Sequence, residues 1–373
     1  MRKPQGLRRW LVAPLALTAS LTFVLTACGG GGGDNNAGGG ETVGATDKVA
    51  VTLITKDSTN PFWIAMQNGA KASAAKQQNV SITIAAGKKD GDEDGQVQAI
   101  EQSIARGDQG ILITPNGPGV NPAIKKAREA GLFVIALDTP PDPADTVDIT
   151  FATNNREAGQ LIGKWTAAEL GGKKAVIAML DAFNDKIITV DVNRDQGFLE
   201  GMGIDVADGT TKGDEAKTGS YTGGKGGDYT IVCNEPSGAN VDGGKTAMET
   251  CLTKNPDINV VYSINEPAGE GASKALKAAN NDAIVVSVDG GCQGVDDVKQ
   301  GIFGATAQQY PVKMAELGVD AIVKIARGGE KPVPSDGLDF FSTGVELVTD
   351  KPVDGLKSIT TTESEKVCWG TKS

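Results

Sequence analysis

Histidine is absent from all 373 residues of this chain. Its absence removes the commonest general base, the usual proton shuttle near neutral pH and the commonest transition-metal ligand. A Ser-His-Asp or Cys-His site is excluded, and zinc would have to be held by cysteine and carboxylates alone. Chemistry by two carboxylates or by lysine stays open. Aromatic residues amount to only 5%. No G-x-x-x-x-G-K-[ST] loop is present to cradle a nucleotide phosphate. Beyond the first 27 residues no apolar run approaches the about 20 residues that a spanning helix needs. The net charge of −11, from 36 basic and 47 acidic residues, speaks against an anionic partner such as nucleic acid.

What is present begins at the N-terminus. Met1-Arg2-Lys3 and Arg8-Arg9 are basic, and residues 10–27 are apolar apart from Pro14 and a few hydroxyl residues. Residues 1–27 therefore read as an export signal. Leu25-Thr26-Ala27-Cys28 resembles a lipobox, in which Cys28 becomes the lipidated first residue of the mature protein. An ordinary secretory signal with an incidental cysteine is the alternative. Residues 28–47, rich in glycine, cannot bury apolar surface and read as a flexible tether. The expected location is the cell envelope, on a periplasmic or extracellular face, with the membrane as a partner through the lipid.

Four cysteines remain: Cys233, Cys251, Cys292 and Cys368. An even number in an oxidising compartment favours two disulfides. Of the possible pairings, Cys233 with Cys251 and Cys292 with Cys368 are preferred. The first pair brackets one strand-to-helix segment, and the second pins the C-terminal tail. A zinc tetrad competes poorly, because no two of these cysteines have short ligand spacing.

From Asp47 onward about 325 residues remain, long for one core and suited to two lobes. Short apolar runs at 49–54, 80–85, 110–114 and 132–137 alternate with helical patterns at 61–78, 96–106 and 121–130. After 149–152 the alternation restarts, with helices at 157–170, 188–202, 243–254 and 270–279 and strands at 175–180, 230–233, 259–263, 283–288 and 303–307. Residues 208–228, rich in Gly, Thr, Lys and Asp, read as a solvated excursion. Nearly continuous apolar strands separated by helices predict α/β lobes, each a doubly wound parallel sheet. In such sheets ligands sit beyond the carboxyl ends of the strands, and two facing lobes make a cleft that closes.

The strand ends carry specific chemistry. Asn60, Pro61, Phe62 and Trp63 follow the first strand; Asp138 follows Leu137, Asn265 and Glu266 follow Ile264, and Asp289 follows Val288. Arg194 lies on a helix, and Gln309 follows the strand at 303–307. Carboxylates accept from sugar hydroxyls, Arg and Asn donate to ring and hydroxyl oxygens, and aromatic faces cover the C–H side of a ring. Singly, each has a structural explanation as a cap, an ion pair or core. Together they form a set suited to a monosaccharide.

Taken in order, TNPFW at 59–63, ILITP at 111–115, VIALD at 134–138, YSINEP at 262–267, VSVDGGC at 286–292 and ATAQQYP at 305–311 resemble a periplasmic binding protein of the ribose-binding type. The likeness is greatest to the fructose-type members that serve ABC importers, and it covers about residues 48–355. It implies that Asn60, Phe62, Trp63, Asp138, Arg194, Asn265, Asp289 and Gln309 contact the sugar. Thr139 stands where ribose binders have arginine, and an aromatic expected near Ala239 is missing, with Phe183 a substitute. Both departures favour fructose over ribose, with xylose, galactose and inositol as further candidates. The resemblance also implies a hinge of three crossings near Thr153-Asn154, Gln309-Tyr310 and the segment after Phe341. Residues 48–153 with 310–343 would form one lobe, and 154–309 with 344–373 the other. The partners would be a membrane permease and a separate ATPase, with the binding protein a monomer lacking any cofactor or metal. Competing readings are a glycosidase working through Asp138 and Asp289, a signalling receptor, and a sugar-responsive regulator. The last lacks its basic helix-turn-helix.

Overall fold

A computed structural model describes residue 44 and residues 47–371. The export signal at 1–27, Cys28 and most of the tether at 28–47 lie outside the described residues. Among those described, no helix is long and apolar enough to cross a membrane.

The first sheet is built on β1 (Val49–Thr55), buried at every position but Ala50, as a parallel strand covered on both faces requires. α1 (Pro61–Ala75) follows, and then β2 (Val80–Ala86), α2 (Glu93–Arg106), β3 (Gly110–Ile113), α3 (Asn121–Glu129), β4 (Phe133–Leu137) and β5 (Ile149–Ala152). Side-chain alternation divides each strand between two cores. Phe133, Ile135 and Leu137 of β4 join Leu112 in one core cluster, while Val134 and Ala136 join Ile111 and Ile113 in the other.

The second sheet begins after α4 (Asn155–Leu170) with β6 (Ala175–Asp181), α5 (Thr189–Met202), β7 (Thr218–Tyr221) and β8 (Gly227–Pro236). It continues with α6 (Val241–Lys254), β9 (Val260–Ser263), α7 (Glu266–Ala278), β10 (Ile284–Asp289), α8 (Cys292–Lys299) and β11 (Ala305–Gln308). α9 (Pro311–Ala326) returns to pack on the first sheet through Met314, Val319 and Ile322. β12 (Phe341–Ser342) pairs with β5, β13 (Glu346–Val348) pairs with β11, and α10 (Thr361–Ser364) closes the chain.

The first sheet runs β12-β5-β4-β3-β1-β2, with every pair parallel. The second runs β13-β11-β10-β9-β6-β8-β7, parallel except at its edges β13 and β7. The chain passes between sheets after β5, after β11 and after β12. The fold is two doubly wound lobes joined by three crossings; the sequence pattern predicted the lobes and the family resemblance implied the crossings.

Two expectations need correction. The segment 208–228 is not a plain excursion. It contains β7, paired antiparallel with β8, and carries Lys212 into a buried acidic group. Only Tyr221 of β7 is buried, so the strand has one apolar anchor and no alternation to read. α7 starts at Glu266 rather than at 270, because Asn265 accepts from Ala268 N and caps it, with Pro267 in the first turn.

Both disulfides join the preferred partners. Cys233 pairs with Cys251 across Cα atoms 5.7 Å apart, and Cys292 with Cys368 across 4.9 Å.

Candidate functional site

The carboxyl ends of both sheets face one hollow between the lobes. Two bonds join the lobes at its rim: Lys186 Nζ donates to Gly91 O at 3.1 Å, and Thr189 Oγ1 to Pro140 O at 2.6 Å.

All eight residues singled out from the sequence line this hollow. Asn60 caps α1 by accepting from Phe62 N at 2.9 Å, so its oxygen is committed and its NH2 is what it offers. Asn265 is similarly engaged, accepting from Ala268 N at 3.1 Å and donating to Ala239 O at 3.0 Å. One N–H of its amide is left. Phe62 and Trp63 meet edge to face at 4.7 Å, and their bodies are buried.

Asp138 takes a left-handed backbone conformation, φ 63°, which Asp tolerates better than most residues. Thr139 Oγ1 donates to its Oδ2 at 2.7 Å. The residue that departs from the ribose-type pattern thus orients the carboxylate.

Arg194 reaches the hollow because α4 and α5 approach closely. A Cβ on Gly159, Gly163, Gly197 or Gly201 would strike the backbone of the facing helix, so glycine alone permits this distance. Arg194 Nε donates to Asn155 Oδ1 and Nη1 to Ile264 O, each at 2.8 Å, while Nη1 stands 3.8 Å from Asp289 Oδ1. Asp289 also accepts from Gln309 Nε2 at 3.0 Å and Glu266 N at 3.3 Å. Burial pushes Asp289 up to about 7; Arg194 and these hydrogen bonds oppose the shift, and nearby Asp138 adds to it. Glu266, behind it, accepts from Gly290 N, Gly291 N and Thr306 Oγ1 and is pushed well above the usual range by burial and by Asp289.

Sequence reasoning missed Lys56, Asp90 and Asp191, which also line the hollow. Asp191 accepts from Ala182 N at 2.8 Å, Phe183 N at 3.3 Å and Lys212 Nζ, fixing the loop that turns Phe183 toward the hollow. Behind it, burial and Asp191 push Asp181 up to about 6. Lys56 directly follows β1, a position whose signal was available. Asp90 sits among Lys88, Lys89 and Asp92, where its charge reads as surface.

No group of metal-ligating side chains is found among the described residues. Donors, acceptors and apolar faces surround a small volume, which suits a polyhydroxylated ring held by hydrogen bonds.

Comparison with known proteins agrees with that chemistry. A family model described as a periplasmic binding protein domain matches residues 50–331. A D-ribose/D-allose-binding protein of Pseudomonas aeruginosa is 26% identical over 81% of this chain and 89% of its own length. A D-apiose import binding protein of Actinobacillus succinogenes is 27% identical over 76% and 84%. An ABC transporter solute-binding protein from Agrobacterium vitis, solved with bound D-fucose, shares the fold with a TM-score of 0.69 at 24% identity, covering 86% of this chain and all of that one.

Proposed function

We propose that this chain, which belongs to the periplasmic binding protein family, is the receptor of an ABC sugar importer and holds one neutral monosaccharide between its lobes. Its family binds solutes rather than transforming them. The observation that carries the reading is the convergence of Asn60, Asp138, Arg194, Asn265, Asp289 and Gln309 on the hollow that Phe62, Trp63 and Phe183 flank. Buried charged groups that hydrogen-bond a sugar reject analogues lacking a hydroxyl, because the group is then left unpaired.

In this reading D-fructose stands first among the ligands. Thr139 and Ala239 depart from the ribose-type pattern, and Phe183 lines the hollow in place of the missing aromatic. The closed receptor presents both lobes to a permease driven by a separate ATPase. Cys28 carries the lipid that holds the protein, as a monomer, to a membrane on its periplasmic or extracellular face. Named relatives bind ribose, allose or apiose, so these sugars belong in the same test.

A thermal-shift screen of the mature protein against fructose, ribose, allose, apiose, xylose, galactose and myo-inositol tests the proposal. One or more sugars should raise the melting temperature in a saturable manner. No shift with any of them would remove the monosaccharide reading.

A further inference from the structure

The loop between β6 and α5, residues 182–188, gathers the closing contacts of the second lobe. Phe183 lines the hollow. The Lys186 ammonium rests 4.6 Å from the centre of the Phe183 ring and makes one of the two rim bonds to the first lobe. Thr189, where α5 begins, makes the other. Little apolar burial holds this loop: residues 184, 185 and 187 are exposed, Ile187 by 67%. α5 also starts without a side-chain cap. Polar contacts at the root of the loop therefore set its conformation. There Phe183 N donates to Asp191 Oδ2 at 3.3 Å, and Phe183 O accepts from Lys212 Nζ at 2.8 Å.

Lys212 does not line the hollow. It comes from the loop at 203–217, between α5 and β7, and its side chain is 13% exposed. The ammonium bonds to Asp191 and lies 3.5 Å from Asp181 Oδ2. Burial works against its charge, but the two carboxylates outweigh burial and hold Lys212 above the ordinary lysine value. The loop that presents it is itself braced. Arg156 Nη1 donates to Gly209 O at 2.8 Å, Gly213 N to Glu215 Oε2 at 3.1 Å and the Tyr229 hydroxyl to Ala216 O at 2.9 Å. Buried ion pairs are weak sources of net stability, because desolvation offsets much of their attraction. What this one achieves geometrically is to fix Phe183 from both sides of its backbone.

We propose that Lys212 is a positioning residue: it locks the loop at 182–188 in its cleft-closing conformation and so sets how long the sugar stays bound. The inference rests on the monosaccharide reading and adds to it a control on release. With Phe183, Lys186 and Thr189 already in place, closure does not have to order them, and preorganisation of this kind strengthens binding by removing that cost. Parting of the lobes breaks the bonds from Lys186 and Thr189, and a loop free to relax gives them up more readily. Release should therefore respond more than capture, as is usual among variants of one interface. Lys212 acts through the loop and touches no sugar.

The test is stopped-flow fluorescence of the mature protein with D-fructose, D-ribose, D-allose and D-galactose, with Trp63 in the hollow as the reporter. For each sugar that the wild type binds, Lys212→Met should speed release roughly tenfold, the scale of one charge-assisted hydrogen bond. Association should change by less than about threefold. In a background without the two rim bonds, Lys186→Met with Thr189→Val, the same substitution should speed release by less than about threefold, because the loop then has little left to transmit. Melting curves without sugar check folding. Should Lys212→Met not fold, Lys212→Met with Asp181→Asn, which also removes a facing charge, is read in its place. Wild-type release rates, a loss confined to association, or an equal effect in both backgrounds would overturn the inference and leave the monosaccharide reading standing. No binding of any of the four sugars by the wild type would remove both.

Discussion

The ring of Trp369 meets the ring of Phe62 edge to face, with centroids 5.1 Å apart and planes at 87°. Trp369 O accepts from Cys292 N at 2.9 Å, and the adjacent Cys368 is bonded to Cys292. The tail is thus anchored on the second lobe, while its indole packs in the core cluster of the first. Phe62, which lines the hollow, has its edge held by a residue near the end of the chain. Trp369→Ala should lower sugar affinity roughly threefold to tenfold, in line with loss of an aromatic pair worth about 0.5–1.5 kcal/mol. Trp369→Phe should restore most of the loss, and calorimetry on the three proteins checks both.

Opening the disulfide beside it should have a larger effect on stability. Cys292 and Cys368 are separated by 76 residues, and removing such a link typically costs about 2–4 kcal/mol. Cys292→Ser with Cys368→Ser should lower the denaturant midpoint accordingly. Thiol counts on the denatured wild type should rise by four on reduction, from the two pairs Cys233–Cys251 and Cys292–Cys368. Free thiols before reduction would contradict the pairing.

Asp138→Ala or Arg194→Ala should each weaken sugar binding by about 2 kcal/mol or more, the cost of losing a buried charged hydrogen bond. In Arg194→Ala part of the loss comes from Asp289, left beside Gln309 without its cation. Titration calorimetry reads both variants, and wild-type affinity in either would place the ligand elsewhere.

The pH dependence should run in opposite directions with and without sugar. Burial raises Asp289 to about 7 and Asp181 to about 6 in the folded chain. For groups raised on folding, the stabilising contribution is full below the unfolded value and is lost as pH rises through the folded one. The unliganded protein should therefore lose stability from these groups between about pH 4 and 7. Sugar hydroxyls donating to Asp289 favour its ionised form, so binding should release protons near pH 6.5 and tighten toward pH 8. Arg194, Gln309, Glu266 and Asp138 all face this carboxylate, and the effect is assigned to it by Asp289→Asn, which should flatten the affinity profile. Melting curves and calorimetry in buffers of different ionisation enthalpy measure the two halves.

Much of this arrangement was legible in the sequence because parallel α/β sheets place function at strand ends. Asp138, Asn265, Asp289 and Gln309 each follow an apolar strand, and Asn60 precedes a proline at a helix start. Asp90 was not legible, since nothing local distinguishes a charge in a turn from one that a facing lobe buries, whereas Lys56 stands at a strand end and was simply passed over. β7 escaped because an edge strand with Tyr221 as its one buried residue shows no alternation. Phe183 was recognisable as an aromatic near the cleft, but Asp191, which fixes its loop, became visible only when α5 was placed against β6. The partner of Trp369 depends on how the tail crosses between the lobes, a contact set by tertiary packing.

One titration bears most directly on the whole account: calorimetry of the mature wild-type protein with neutral monosaccharides, followed by recovery of the sugar. Saturable uptake of about one sugar per chain, returned unchanged and weakened by Arg194→Ala, is the predicted result. No saturable uptake of any neutral monosaccharide, or uptake indifferent to Arg194, would contradict it.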